Sequence, residues 1–202
     1  MQRHLSKLAL ATTLTLGAVT AQAADQFISL TVGESSSNIR KSTALNSNMG
    51  NPNYDKAIND RSTFGMRSGR VTDDHRYYFS SEATSNDKDR SLRLRQWNLL
   101  GSYDMFLPVG ENGTKLFGGG SLGLVKLYHD GKGLKRDTNV GYAAGLQAGI
   151  LQDITSNTSV EAGYRYLRTN ASTEVVQNGG KKLGSLDLRS SGQLYLGASY
   201  KF

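Results

Sequence analysis

Two histidines, His75 and His129, are the residues in this chain best placed by type for acid–base work, because each stands beside carboxylates. His75 follows Asp73 and Asp74, and His129 precedes Asp130. A hydrolytic triad needs a nucleophile, a base and an orienting acid in mutual reach, and no serine motif accompanies either histidine. The chain has no cysteine, which removes thiol catalysis, disulfide scaffolds and zinc sites built on Cys. The two histidines beyond residue 23, without cysteine, do not make a dedicated transition-metal site. Gly118-Gly119-Gly120 lacks the Lys-Ser/Thr and the helix of a phosphate loop, and close packing within a strand accounts for it better. The expectation is a chain with no catalytic, cofactor-binding or metal residues.

A different set of charges has meaning through its spacing. Arg67, Glu82, Asp104, Glu161, Arg165 and Lys201 each fall on the polar side of a segment that alternates with period two. The C-terminus shows this most clearly. Leu194, Leu196, Ala198, Tyr200 and Phe202 share one face, and Gln193, Tyr195, Gly197, Ser199 and Lys201 share the other. In 159–168, Val160, Ala162, Tyr164 and Tyr166 oppose Ser159, Glu161, Gly163 and Arg165. In 140–151, Val140, Tyr142, Ala144, Leu146, Ala148 and Ile150 oppose Gly141, Ala143, Gly145, Gln147 and Gly149. Fainter alternation marks 26–34, 62–69, 75–83, 93–106 and 116–128, so the pattern predicts eight strands.

The first residues, MQRHLSKLALATTLTLGAVTAQA, read as an address. Arg3 and Lys7 give a basic start, Leu8 to Val19 an apolar stretch, and Ala21-Gln22-Ala23 a small-residue cleavage site. The expected organisation is a signal peptide over 1–23 and one domain over 24–202. The apolar stretch is too short for a membrane anchor. The formal charge of +7 could suit a nucleic-acid partner, but export argues against one. Export without cysteine points to a bacterial periplasm or outer membrane.

These strands differ from those of a soluble sandwich. Their second face is polar and glycine-rich, and several end in aromatics: Tyr77, Tyr103, Tyr128, Tyr164, Tyr166, Tyr200 and Phe202. Apolar outside, polar inside and aromatic girdles are what a transmembrane barrel requires. Closure is required because an open sheet edge in lipid leaves backbone groups unsatisfied. The connections 70–74, 107–115 and 152–158 are short. Those at 35–61, 84–91, 129–138 and 169–186 are mostly longer and polar, the asymmetry of an outer-membrane barrel. The expected fold is therefore all-β: an eight-stranded, antiparallel, up-and-down transmembrane barrel, monomeric, in a Gram-negative outer membrane. Ten strands is the structural alternative, if 35–61 holds another hairpin. The two histidines then fall at opposite rims and cannot cooperate.

The exported, alternating chain with its terminal aromatic resembles the small outer-membrane β-barrel family around the OmpA transmembrane domain and OmpX. The resemblance covers 24–202. Tyr103-Asp104-Met105-Phe106-Leu107-Pro108 and Lys115-Leu116-Phe117-Gly118-Gly119-Gly120-Ser121-Leu122-Gly123 look like that family's fourth strand, turn and glycine-rich fifth strand. Tyr200 and Phe202 look like the C-terminal signal read by the barrel-assembly machinery. The resemblance implies fold and location, and it says little about activity.

An eight-stranded barrel is only wide enough for side chains to fill it. Arg67, Glu82, Asp104, Glu161, Arg165 and Lys201 are expected to point inward and pair, forming a plug. The competing reading is a small porin-like channel whose selectivity these charges set. The outer loops are net basic. Arg40, Lys41, Tyr54 and Lys56 in one, and Lys132, Lys135 and Arg136 in another, are candidates for contact with lipopolysaccharide phosphates or an acidic host ligand. The function expected is that of a non-enzymatic surface protein supporting envelope integrity, with adhesion through its loops.

Overall fold

The computed structural model describes residues 25–43, 61–85, 92–131, 137–176 and 182–202. The expected signal segment lies outside the described residues. So do Tyr54, Lys56, Lys132, Lys135 and Arg136 of the candidate loops.

Nine strands follow one another: β1 (Asp25–Lys41), β2 (Arg61–Val71), β3 (His75–Ser85), β4 (Leu92–Pro108), β5 (Thr114–Gly131), β6 (Asp137–Asp153), β7 (Thr158–Thr169), β8 (Ser172–Val176) and β9 (Lys182–Lys201). Each pairs antiparallel with its neighbour, and β1 pairs with β9, so the sheet closes on itself. β7 and β8 are one stave with a break. Both pair with β9, β7 along its second half and β8 along its first. The wall is thus an eight-stranded closed antiparallel barrel. β1 meets β2 on one side and β9 on the other. The ring is complete without the extra hairpin that a ten-stranded wall needs.

The break in the seventh stave has a local cause. Asn170 lies between β7 and β8, and its side-chain Oδ1 accepts the Tyr142 backbone N–H at 2.7 Å. The Asn170 N–H donates to the Tyr142 carbonyl at 3.3 Å. The side chain thus stands in for a strand residue, and the chain swings Ala171 fully inside the barrel.

Two expected loop boundaries are corrected. Ser35 to Lys41 continue β1 and pair with β9 across a bulge at Asn38/Ile39. Arg40 and Lys41 therefore sit on a strand, opposite Asp187 and Leu186. The 169–186 segment likewise contains β8 and the start of β9. These stretches are serine- and asparagine-rich and carry no apolar stripe, so periodicity does not reveal them. They are strands because the staves beside them keep offering backbone partners. Crossing the hydrocarbon takes about 9–11 residues per strand. The 17 to 20 residues of β1, β4, β6 and β9 therefore project beyond the bilayer. The short turns lie with the Asp25 start of β1 and the Phe202 end of the chain, which makes that end of the barrel periplasmic. Gln26 and Phe202 exchange backbone hydrogen bonds there, at 3.2 and 2.9 Å.

Side chains alternate as the pleat dictates. Leu30, Val32, Phe79, Leu122, Leu146, Leu194 and Leu196 are exposed on the outside and form the apolar belt. Tyr77, Tyr103, Tyr200 and Phe202 ring its periplasmic edge, and Phe64, Trp97, Tyr142 and Tyr166 stand toward the other. The lumen holds serines, threonines and charges, together with two apolar clusters. Leu100, Val125, Ala143, Leu167, Ala171 and Leu188 pack in its outer half. Phe106, Phe117, Leu151 and Tyr195 pack in its periplasmic half.

The periplasmic cluster stands on a glycine floor. Gly149 and Gly163 face each other across β6 and β7. A Cβ at Gly163 would sit 2.6 Å from Tyr195 Cζ and 2.9 Å from Phe117 Cζ. Gly163→Ala should therefore destabilise the barrel by about 1–3 kcal/mol, the usual cost of overpacking. Gly118→Ala, with nothing within 4 Å of the added Cβ, should stay within about 0.5 kcal/mol of the native protein. Urea midpoints of the folded, heat-modifiable gel band measure both.

Candidate functional site

Between the two apolar clusters lies a layer of charge. Arg67 from β2, Arg76 and Glu82 from β3, Asp104 from β4, and Glu161 and Arg165 from β7 all point into the lumen. None is more than 4% exposed. Strand alternation places them there, and barrel curvature brings β3 opposite β7, so residues more than eighty apart in sequence meet. Arg67 and Arg76 each donate to a different oxygen of Glu161. Arg76 Nε also donates to Asp104 at 2.8 Å. Arg165 pairs with Glu82.

Gln147 joins the two groups. Its Nε2 donates to Asp104 at 2.5 Å and to the Tyr78 hydroxyl at 2.8 Å. Its Oε1 accepts from Arg165 Nε at 2.9 Å and from the Ser121 hydroxyl at 2.6 Å. A carboxamide is the side chain that can serve an anion and a cation at once, because it carries both a donor and an acceptor. Aromatic faces hold the remaining surfaces of the guanidiniums. Arg67 lies 4.3 Å from the Tyr195 ring centre, and Arg76 lies 4.8 Å from that of Phe117.

The layer contains three guanidiniums and three carboxylates. A buried charge is tolerable only when paired and hydrogen-bonded. Here every carboxylate has a guanidinium partner, and an apolar cluster lies to either side. The arrangement binds the barrel's opposite sides together and fills its width.

Sequence spacing picked out five of these residues: Arg67, Glu82, Asp104, Glu161 and Arg165. The sixth, Lys201, is not in the layer. It sits at the periplasmic mouth, half-buried, with no ion pair among the described residues. The reason is position: Lys201 is the last residue of β9, beyond the reach of the layer. Arg76 and Gln147 were missed. Both fall on the inward face by the same alternation, Arg76 beside Tyr78 and Gln147 beside Gly145; the pattern already placed Gln147 there but did not mark it as a partner of the charges. Tyr200 and Phe202 are exposed on the outer face at the seam.

Among the described residues, Arg95, Lys126, Arg168 and Arg189 lie on the opposite, outward face near the extracellular end. Arg95 precedes Trp97 by two residues on β4, and Lys126 pairs with Trp97 across β4–β5. Arg168 follows Tyr166 by two residues on β7, and Arg189 is exposed on β9. These strand-borne cations stand just beyond the outer aromatics. The sequence reading placed its cations in loops and missed these.

His75 forms no triad among the described residues. His75 Nδ1 lies 2.7 Å from Asp74 Oδ1 and 2.9 Å from the Thr72 hydroxyl. Acid and hydroxyl thus meet the same ring nitrogen, whereas a relay needs them on opposite ones. The cluster shapes the periplasmic β2–β3 turn, and His75 stacks on Tyr103 at 5.7 Å. The hydrogen bond from Thr72, and after it that from His75, holds the Asp74 carboxyl below its ordinary value.

A closed barrel with an apolar, aromatic-edged belt and a paired polar lumen defines a small outer-membrane β-barrel protein. Outer membrane protein H (OprH) of P. aeruginosa is 60% identical over 89% of this chain and 100% of its own, with a TM-score of 0.56. This chain belongs to that family and is an outer-membrane protein. Neisserial surface protein A shares the fold at 17% identity, with a TM-score of 0.62 over 91% of this chain and 100% of its own. Ail, the attachment invasion locus protein of Yersinia pestis, shares it at 14% identity, with a TM-score of 0.53 over 90% and 100%. No family model matches the chain, and comparison with curated proteins returned no match.

Glu161→Ala should leave both Arg67 and Arg76 without their shared partner and cost about 3–5 kcal/mol. Lys201→Ala should change stability by less than about 0.5 kcal/mol. Thermal unfolding in micelles distinguishes them. At the turn, the stabilisation held by Asp74 is present above the ordinary carboxylate range and is lost as pH falls through its lowered value. Asp74→Asn should therefore differ from the native protein at neutral pH and converge with it in acid, read as the dispersion of the Thr72 and His75 NMR signals.

Proposed function

We propose that this protein is a non-enzymatic structural element of the outer membrane. It is exported by a signal peptide cleaved after Ala23, its lumen is closed, and its outer rim binds lipopolysaccharide. The observation carrying the first part is the charge layer. An open path through an eight-stranded barrel must run between side chains that here are paired across its width. The apolar cluster of the outer half adds a second barrier. Closure favours a structural role over the channel alternative.

The outward cations Arg95, Lys126, Arg168 and Arg189 support the second part. They stand where the phosphates of outer-leaflet glycolipid lie, just above the hydrocarbon belt. Cations there attract an anionic surface by about 1 kcal/mol each. The basic residues of the candidate loops would extend the same field. Holding lipopolysaccharide phosphates from a rigid barrel would contribute to envelope integrity without any chemical step.

Two measurements test this. In a planar bilayer the folded protein should give no reproducible current steps; steps altered by Arg165→Ala would establish a pore instead. Replacing Arg95, Arg168 and Arg189 together by alanine should weaken lipopolysaccharide binding by about a hundredfold. The native affinity should fall as salt rises. Binding unaffected by the triple substitution would remove the rim from the proposal.

A further inference from the structure

Below the charge layer the barrel opens toward the periplasm as a blind pocket of about 340 Å³. That volume suits a small ligand. Its polar groups fall into two sets, those already engaged and those left over. Lys115 is tied to Asp153 at 3.2 Å. Asp74 is held by Thr72 and His75. Arg76 spends Nε on Asp104 and Nη1 on Glu161.

The remainder is unusual in composition. Ser199 lines the pocket, is 6% exposed, and its hydroxyl has no hydrogen-bond partner. Arg76, 2% exposed, lines it too, and its Nη2 has no partner. A buried donor left unmade is destabilising, so both groups favour a ligand that accepts hydrogen bonds. At the rim, Lys201, Asp25 and Asp73 have no ion pair among the described residues.

The signs select the ligand. A simple anion reaching Ser199 and Arg76 must pass Asp25 and Asp73. A simple cation satisfying those aspartates meets Lys201 and Arg76. A molecule carrying both charges answers all of them, its carboxylate directed at Ser199, Arg76 and Lys201 and its ammonium at Asp25 and Asp73. We propose that the periplasmic pocket binds a small zwitterion of the amino-acid type. It goes beyond the structural role, because it places a periplasmic ligand on the face turned away from lipopolysaccharide. The same chemistry is carried by a free amino acid or by the end of a short peptide.

The test is an NMR titration of the purified protein in detergent micelles, using alanine, alanyl-alanine, acetate and methylammonium as separate probes. Alanine or alanyl-alanine should give saturable shifts confined to Thr72, Ser159, Ser199 and Lys201, with acetate and methylammonium at least about tenfold weaker. Tighter alanine would identify a free amino acid, and tighter alanyl-alanine a peptide end. Ser199→Ala and Asp73→Asn, which leave the charge layer intact, should each weaken binding by about tenfold without lowering the melting temperature. Acetate binding as well as alanine, binding indifferent to both substitutions, or no saturable shift with any probe would each overturn the proposal. Loss of the lipopolysaccharide reading would leave these results untouched, since none of its residues lines this pocket.

Discussion

Ionic groups inside a lumen too narrow to hydrate them must find one another, and this barrel is organised around that requirement. Three arginines and three carboxylates from β2, β3, β4 and β7 meet in one layer, and none reaches its partners along its own strand. The pairing is satisfied only when the sheet has curved round and closed. Closure is itself demanded by the lipid, which tolerates no unpaired strand edge. The outer and inner constraints therefore enforce the same geometry.

Gln147 joins the two groups of the layer: through it, the carboxylate of Asp104 and the guanidinium of Arg165 share one amide. The Arg165–Glu82 pair and the cluster around Glu161 also share the rings of Tyr78 and Tyr195. The glycine floor at Gly149 and Gly163 serves the same end by admitting the rings of Phe117 and Tyr195, on which the arginines rest. Charge, ring and glycine are stacked elements of one packing arrangement. It lies between two distinct surfaces: a cationic rim toward the exterior and a mixed-charge pocket toward the periplasm.

Much of this was legible in the residues themselves. Alternation in 193–202, 159–168 and 140–151 marks three staves and assigns their faces correctly, because a pleated strand sends successive side chains to opposite sides. The short periplasmic turns were equally visible. Where alternation fades into serine and asparagine, as at 35–41, the strand continues unseen, since its reason for existing is a neighbour's backbone. Ala171 inside the lumen was hidden too, because a break at Asn170 shifts the count that alternation depends on.

The sequence by itself determined the class of fold, the division of its clearest strands into lipid and lumen faces, and five of the six charges of the buried layer. These are local consequences of period and polarity. Which arginine meets which carboxylate was decided only by the tertiary structure. So was the standing of Lys201 at the mouth rather than in the layer, and the gathering of Arg95, Lys126, Arg168 and Arg189 at one rim. Such facts depend on stagger between strands and on curvature across the barrel. Both are set by the closing of the whole sheet, and no single segment of sequence contains them.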